Sequence, residues 1–199
     1  MMIIWVNGAF GAGKTQTAHE LQRRIPHSYI YDPENAGYFI RKNIPASMAK
    51  SDFQDHKVWR ETNYSMIKYI HDEYDGTLII PMTIVDPQYF DDIVGRLRRD
   101  GVVIHHFALC ATRETLLKRL RSRGENDRSW AAQQIDRCID GLSLPVFERH
   151  LQTDAMTISD VVEAIAAVLD ITLMPDQHGK LRKQYDKIMT QIRHIRFFQ

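Results

Sequence analysis

Cysteine is scarce: Cys110 and Cys138 are the two present in 199 residues, far apart and without metal-ligand spacing. Both read as small core residues rather than redox or metal groups. Long apolar runs are missing too, and none approaches the about 20 residues needed to span a bilayer. No basic stretch followed by a signal-like apolar region opens the chain, so a cytoplasmic protein is expected. Net charge is only +1, no nucleic-acid partner is expected, and neither repeats nor low-complexity segments occur. What remains is 44% hydrophobic and 26% charged, the balance of a globular domain of moderate size.

Against that background one run stands out. Gly8-Ala9-Phe10-Gly11-Ala12-Gly13-Lys14-Thr15 fits G-x-x-x-x-G-K-[ST]. It follows the apolar, β-branched stretch Ile3-Ile4-Trp5-Val6, and helix-forming sequence begins at Thr15 and Gln16. Strand, glycine loop and helix are the arrangement a phosphate cradle needs. The glycines let successive N–H groups converge on an anion, and the helix start adds the positive end of its dipole. Gly8, Gly11, Ala12, Gly13, Lys14, Thr15 and Gln16 are therefore the expected nucleotide-binding residues. Lys14 reaches the terminal phosphates and the Thr15 hydroxyl ligates Mg²⁺, so ATP with Mg²⁺ is the expected cofactor pair.

Apolar runs at 28–31, 77–82 and 102–109 read as further strands, with a short fifth near 150–153. Helical patterns cover 58–74, 87–99, 112–123, 129–140, 159–169 and 180–198. The stretch from Asp32 to Asp55 reads as polar and mixed. Thr112 is a helix cap without a capping box, because Thr115 stands where Glu would be. The alternation predicts an α/β fold of three layers: a five-stranded parallel sheet flanked by helices, with ligands at the carboxyl ends of the strands. The expected division is a phosphate-loop domain over 1–175 and a basic tail over 176–199.

Other phosphate-loop classes lack support. No N-K-x-D run exists to read guanine, and the D-x-x-G match at 92–95 falls inside a predicted helix. A small-molecule kinase remains, with an acceptor pocket and an arginine-bearing lid. Arg113, Lys118, Arg119, Arg121, Arg123 and Arg128 form the basic cluster; Arg119, Arg123 and Arg128 are the expected lid, stabilising charge on the transferred phosphoryl group, against the alternative of a solvated basic face. Asp32, at the end of the second strand, is the expected base for an acceptor hydroxyl, with Glu34 behind it; the alternative is a simple turn before Pro33. At the third strand's end the nearest carboxylate is Asp86, displaced by several residues. Tyr38, Phe39, Arg41, Trp59, Arg60 and Tyr64 suit a pocket for a ring-bearing acceptor, or are ordinary core and surface residues. His105 and His106 receive no role.

Residues 176–199 hold six Lys/Arg and two Asp/Glu. Leu181, Tyr185, Ile188, Ile192, Ile195 and Phe198 recur at helical spacing beside Lys180, Arg182, Lys183, Lys187, Arg193 and Arg196. Such a basic amphipathic helix lies on an anionic membrane surface, packs on a partner, or docks on the protein's own body.

Ile3-Ile4-Trp5-Val6-Asn7, the glycine loop and Gln16-Thr17-Ala18 together resemble the tunicamycin-resistance proteins. So do Tyr31-Asp32-Pro33-Glu34, Pro81-Met82-Thr83-Ile84-Val85, Glu114-Thr115-Leu116-Leu117-Lys118-Arg119-Leu120-Arg121, Trp130-Ala131-Ala132 and Gln134-Ile135-Asp136-Arg137-Cys138. The resemblance extends over essentially the whole chain. It implies a fold similar to nucleoside-monophosphate kinases and antibiotic phosphotransferases, ATP binding, and resistance to a nucleoside antibiotic. It also implies peripheral association with the inner face of the cell membrane through 180–198. The expected activity is phosphorylation of a tunicamycin hydroxyl; the rival readings are ATP-dependent sequestration of the drug without turnover, and a housekeeping nucleoside or metabolite kinase.

Overall fold

The computed structural model describes residues 1–176. Among these, five strands form one sheet: β1 Met2–Gly8, β2 Ser28–Ile30, β3 Thr77–Pro81, β4 Ile104–Cys110 and β5 His150–Gln152. Their order across the sheet is β2-β3-β1-β4-β5, and every neighbouring pair is parallel. Parallel strands need covered crossovers, and helices supply them on both faces. These are α1 Lys14–Arg24, α2 Glu34–Asn43, α3 Lys57–Glu73, α4 Pro87–Phe90, α5 Arg96–Arg99, α6 Arg113–Arg121, α7 Trp130–Gln133, α8 Ile135–Leu142 and α9 Ile158–Leu169.

Period-two alternation along β1 sorts its side chains between two cores. Ile4 and Val6 join Leu21 of α1, Leu116 and Leu120 of α6, Ile135 of α8 and Ile165 of α9. Ile3 and Trp5 join Trp59 and Ile67 of α3, together with Phe90, Ile93, Val94 and Leu97. Burial on both faces explains why the strands read as continuous apolar runs.

The elements depart from expectation in four places. The stretch after Asp32 holds the helix α2 and the 3₁₀ turns Ala46–Met48 and Phe53–Asp55. Gly37 explains why composition hides α2: a weak helix former is required, since a Cβ there would lie 2.6 Å from the Phe53 ring. The helix expected over 129–140 breaks at Gln134 into α7 and α8. The run from 87 to 99 is helical throughout but contains a π turn, Asp91–Gly95, which absorbs the D-x-x-G match. Finally α9 is capped by Thr157, and Asp160 completes a capping box rather than starting the helix. The amphipathic pattern over 180–198 lies outside the described residues.

Candidate active site

The loop after β1 turns where only glycine is unstrained. Gly11 has φ 85°, and a Cβ on it would come 2.9 Å from the Leu116 carbonyl oxygen. Gly13, with φ 100°, leads into α1, whose first turn has no side-chain cap and no acidic residue. First-turn amides have no acceptor within a helix, so this end is built for an anion. Beside it Lys14 donates from Nζ to the Ala9 carbonyl at 3.0 Å and lies 5.5 Å from the Phe10 ring centre. Burial lowers its pKa to about 8, partly opposed by the charge of Glu34. Gly8 and Ala12 are buried and shape the loop from within, while Thr15 and Gln16 occupy the first turn of α1.

A cleft of about 110 Å³ opens above this loop. Its lining is made by Phe10, Gly11, Gly13, Lys14 and Thr15 of the loop and the start of α1, by Asp32 and Glu34 after β2, by Pro81 at the end of β3, and by Arg123. Asp32 accepts the Glu34 amide at 3.0 Å, forming the turn that brings both carboxylates to the cleft lining, where the Glu34 charge acts on Lys14. Trp59 fixes that turn from below, donating Nε1–H to the Pro33 carbonyl at 3.0 Å. Burial raises the Glu34 pKa, helped by the neighbouring Asp32 charge and opposed by Lys14. Tyr38 donates to Glu34 Oε2 at 3.3 Å, and burial lifts its own pKa to about 12.

The three expected lid arginines separate. Arg123 lines the cleft; its side chain is still solvent-accessible, and the surrounding protein atoms partly desolvate the guanidinium and lower its pKa. Arg119 instead turns to the segment after β5, donating to Thr153 Oγ1 at 3.2 Å and to its carbonyl at 2.5 Å. Arg128 is exposed in the connector before α7 and is not among the cleft residues. Asp86 is a helix cap, accepting the amides of Gln88 at 2.7 Å and Tyr89 at 3.1 Å. Of the expected acceptor-pocket aromatics and cations, Tyr38 bonds a cleft carboxylate and Trp59 supports the turn. The others are engaged elsewhere: Arg60 with Asp92, Tyr64 with Asp100, and Arg41 over Phe53, while Phe39 points to solvent.

Beneath the loop lies a buried polar layer that no local pattern announced. Asn7 Oδ1 accepts the amides of Gly8 at 2.8 Å and Ile84 at 3.0 Å, and its Nδ2 donates to the Ile84 carbonyl at 2.7 Å. The Thr83 hydroxyl donates to the Gly8 carbonyl at 2.8 Å, and Gln54 donates to the Thr83 carbonyl at 3.1 Å. The available signal was a polar residue, Asn7, at the end of a run otherwise buried and apolar.

The residues present suit a nucleoside triphosphate with its metal ion. The Lys14 amine, an uncapped helix start and a hydroxyl at Thr15 meet in one cleft, and the positive φ of Gly11 and Gly13 holds the loop in the turn that leads there. Among the described residues no cluster of His, Cys, Asp or Glu forms a metal cage by itself.

Sheet order, glycine loop and cleft together define a phosphate-loop, nucleotide-binding fold of the kinase-like kind. Residues 3–145 match the AAA domain family. The tunicamycin resistance protein of Deinococcus radiodurans, a solved structure, is 32% identical with a TM-score of 0.76, over 88% of this chain and 100% of that one. The chain therefore belongs to the AAA domain family and to the tunicamycin-resistance proteins. A sugar kinase from a Janibacter species shares the fold at 16% identity and a TM-score of 0.62, over 86% of this chain and 96% of that one. A gluconokinase from Sinorhizobium meliloti does so at 15% and 0.61, over 94% and 97%. No curated protein sequence matches the chain. Among the described residues no helix is long and apolar enough to cross a membrane.

Proposed function

We propose that the protein is an ATP-dependent phosphotransferase acting on a hydroxyl of tunicamycin or a closely related nucleoside antibiotic. The observation that carries this reading is that Lys14 and Thr15 line a single cleft together with Asp32 and Glu34. Bound ATP supplies the phosphoryl group, and its Mg²⁺ offsets charge on the phosphate oxygens. Lys14 and the first-turn amides of α1 hold the phosphates, and Thr15 contributes a hydroxyl to the metal. Asp32 takes the proton of the acceptor hydroxyl as it attacks, and Glu34 orients that hydroxyl from beside it. Arg123, also in the cleft lining, stabilises the charge that develops on the transferred group.

Incubating the protein with γ-labelled ATP, Mg²⁺ and tunicamycin should transfer label to the drug. Saturable drug binding with no labelled product would reject the assignment.

A second reading, ATP-dependent binding without turnover, draws support from the end of β3. There Asp86 serves as a helix cap and the Thr83 hydroxyl is committed to the Gly8 carbonyl. In that reading residues 176–199 carry the protein to an anionic membrane surface. Their removal should then abolish resistance while leaving nucleotide affinity intact, and undiminished resistance would refute it.

A further inference from the structure

Glu34 and Tyr38 lie four residues apart on α2, the spacing that stacks side chains on one face of a helix. Glu34 lines the cleft; Tyr38 is not among the cleft residues, but its Oη donates to Oε2 of Glu34 at 3.3 Å. The tyrosine is 39% exposed, yet its ring is not loose. It meets Phe53 edge to face, with ring centres 6.4 Å apart. Phe53 is itself wedged: a Cβ on Gly37 would lie 2.6 Å from its ring, and Trp59 stands 5.4 Å away, centre to centre. Trp59 also holds the Pro33 carbonyl, immediately before Glu34. One aromatic cluster therefore supports both the backbone that carries Glu34 and the phenol that bonds its carboxylate.

The direction of that bond follows from chemistry. Burial, with the Glu34 charge, lifts the Tyr38 pKa to about 12, so the phenol keeps its proton and donates. An ionised carboxylate only accepts, through two oxygens. With neither oxygen held, the group would rotate and offer an acceptor no fixed direction. With Oε2 held, Oε1 has one, and fixed geometry is what an attacking hydroxyl requires.

We propose that Tyr38 is a positioning residue: by holding Oε2 of Glu34 it directs Oε1 into the cleft, where it accepts the hydroxyl of the acceptor. The proposal rests on the phosphotransferase reading for the role of Glu34, but its readout is drug binding and its pH dependence, not turnover.

Several charged groups face this pair. They are Asp32 on the same turn, Lys14 of α1, Asp52 before the 3₁₀ turn and Arg41 beside Tyr38, with Arg123 in the cleft lining. Burial and the two aspartates raise the Glu34 pKa, while Lys14 and the Tyr38 bond lower it. Removing the bond therefore raises it further. The ionised carboxylate is the form that takes the drug hydroxyl, so drug affinity falls as pH drops through this pKa.

The test is calorimetric titration of tunicamycin into the full chain from about pH 4 to 8, with a non-hydrolysable ATP analogue present. Tyr38→Phe keeps the ring against Phe53 and loses the hydroxyl. Its acid midpoint for drug affinity should move up by about half a pH unit or more, with affinity for the analogue at the wild-type value. Glu34→Ala should abolish that midpoint, and Tyr38→Phe added to it should change nothing further. An unmoved midpoint in Tyr38→Phe, an equal loss for the analogue, or the same effect with and without the Glu34 carboxylate overturns the proposal. Should wild type yield no phosphorylated drug while the midpoint still moves, the phosphotransferase reading fails and this one stands. Labelled product together with an unmoved midpoint gives the reverse.

Discussion

Asn7 and His106 face each other across β1 and β4, with Nδ2 of one 3.2 Å from Nε2 of the other. The Asn7 oxygen already accepts two backbone amides, so its nitrogen must point at the imidazole. Nε2 of His106 is then the acceptor, and Nδ1–H donates to the Glu148 carbonyl at 3.2 Å. The ring must be neutral for this arrangement, and burial pushes its pKa from 6.5 down to about 4. Through Asn7, this histidine fixes the amide of Gly8, the first residue of the phosphate loop.

Acid stability follows directly. Between pH 6.5 and about 4 the unfolded chain binds the proton and the folded chain does not, so stability falls as pH drops through that window. The total is about 3.5 kcal/mol at roughly 1.4 kcal/mol per pH unit. Replacing His106 by Leu should cost about 1–3 kcal/mol at neutral pH, because Asn7 loses an acceptor. The same variant should show a flatter acid limb in urea denaturation. An acid slope equal to that of wild type would show that His106 is not the titrating group.

Lys14 sets the alkaline limit of phosphate binding. Its amine, lowered to about 8 by burial, is charged below that pH and neutral above it. A bound triphosphate favours the charged form, so above pH 8 binding must take up a proton. Nucleotide affinity should therefore be flat below pH 8 and weaken about tenfold per unit above it, until the pKa of the bound state is reached. Calorimetry in buffers of different ionisation heat should register proton uptake at pH 9. A flat affinity profile from pH 7 to 10 would contradict this assignment.

How much of this was legible in the sequence depends on how local each signal is. The parallel sheet could be read because its strands are buried on both faces and so appear as apolar runs. The phosphate loop could be read because eight adjacent residues carry it. Arg119 illustrates the limit: helical spacing places it on a face of α6, but not what stands opposite. The opposing group is Thr153, 34 residues on, which takes both of its contacts. Trp59 reads as a pocket aromatic for the same reason, since its partner, the Pro33 carbonyl, stands 26 residues away. Pairings across tens of residues leave no periodic trace in one chain.

The contact between Trp59 and Pro33 permits a separate test of the carboxylate turn. Trp59→Phe keeps the buried ring but removes the indole N–H that holds the Pro33 carbonyl. Leaving that carbonyl unpaired should cost about 1–3 kcal/mol of stability. Because the turn carries Asp32 and Glu34 rather than the phosphate contacts, turnover should fall while nucleotide affinity is unchanged. Equal losses in both would place the effect on the fold as a whole.

Trp130 offers a direct report of loop occupancy. Of the three tryptophans, Trp5 and Trp59 are fully buried and Trp130 is 47% exposed. Trp130 meets Phe10 of the phosphate loop edge to face, with ring centres 5.0 Å apart and planes at 72°. Phe10 in turn lies under the Lys14 amine, so an anion drawing Lys14 into the cleft alters the surroundings of both rings. Adding ATP with Mg²⁺ should therefore shift tryptophan emission, and the Trp130→Phe variant should lose that shift while binding nucleotide with wild-type heat. A shift that persists in the variant would assign it to the buried tryptophans, and with it a rearrangement of the core rather than of the loop.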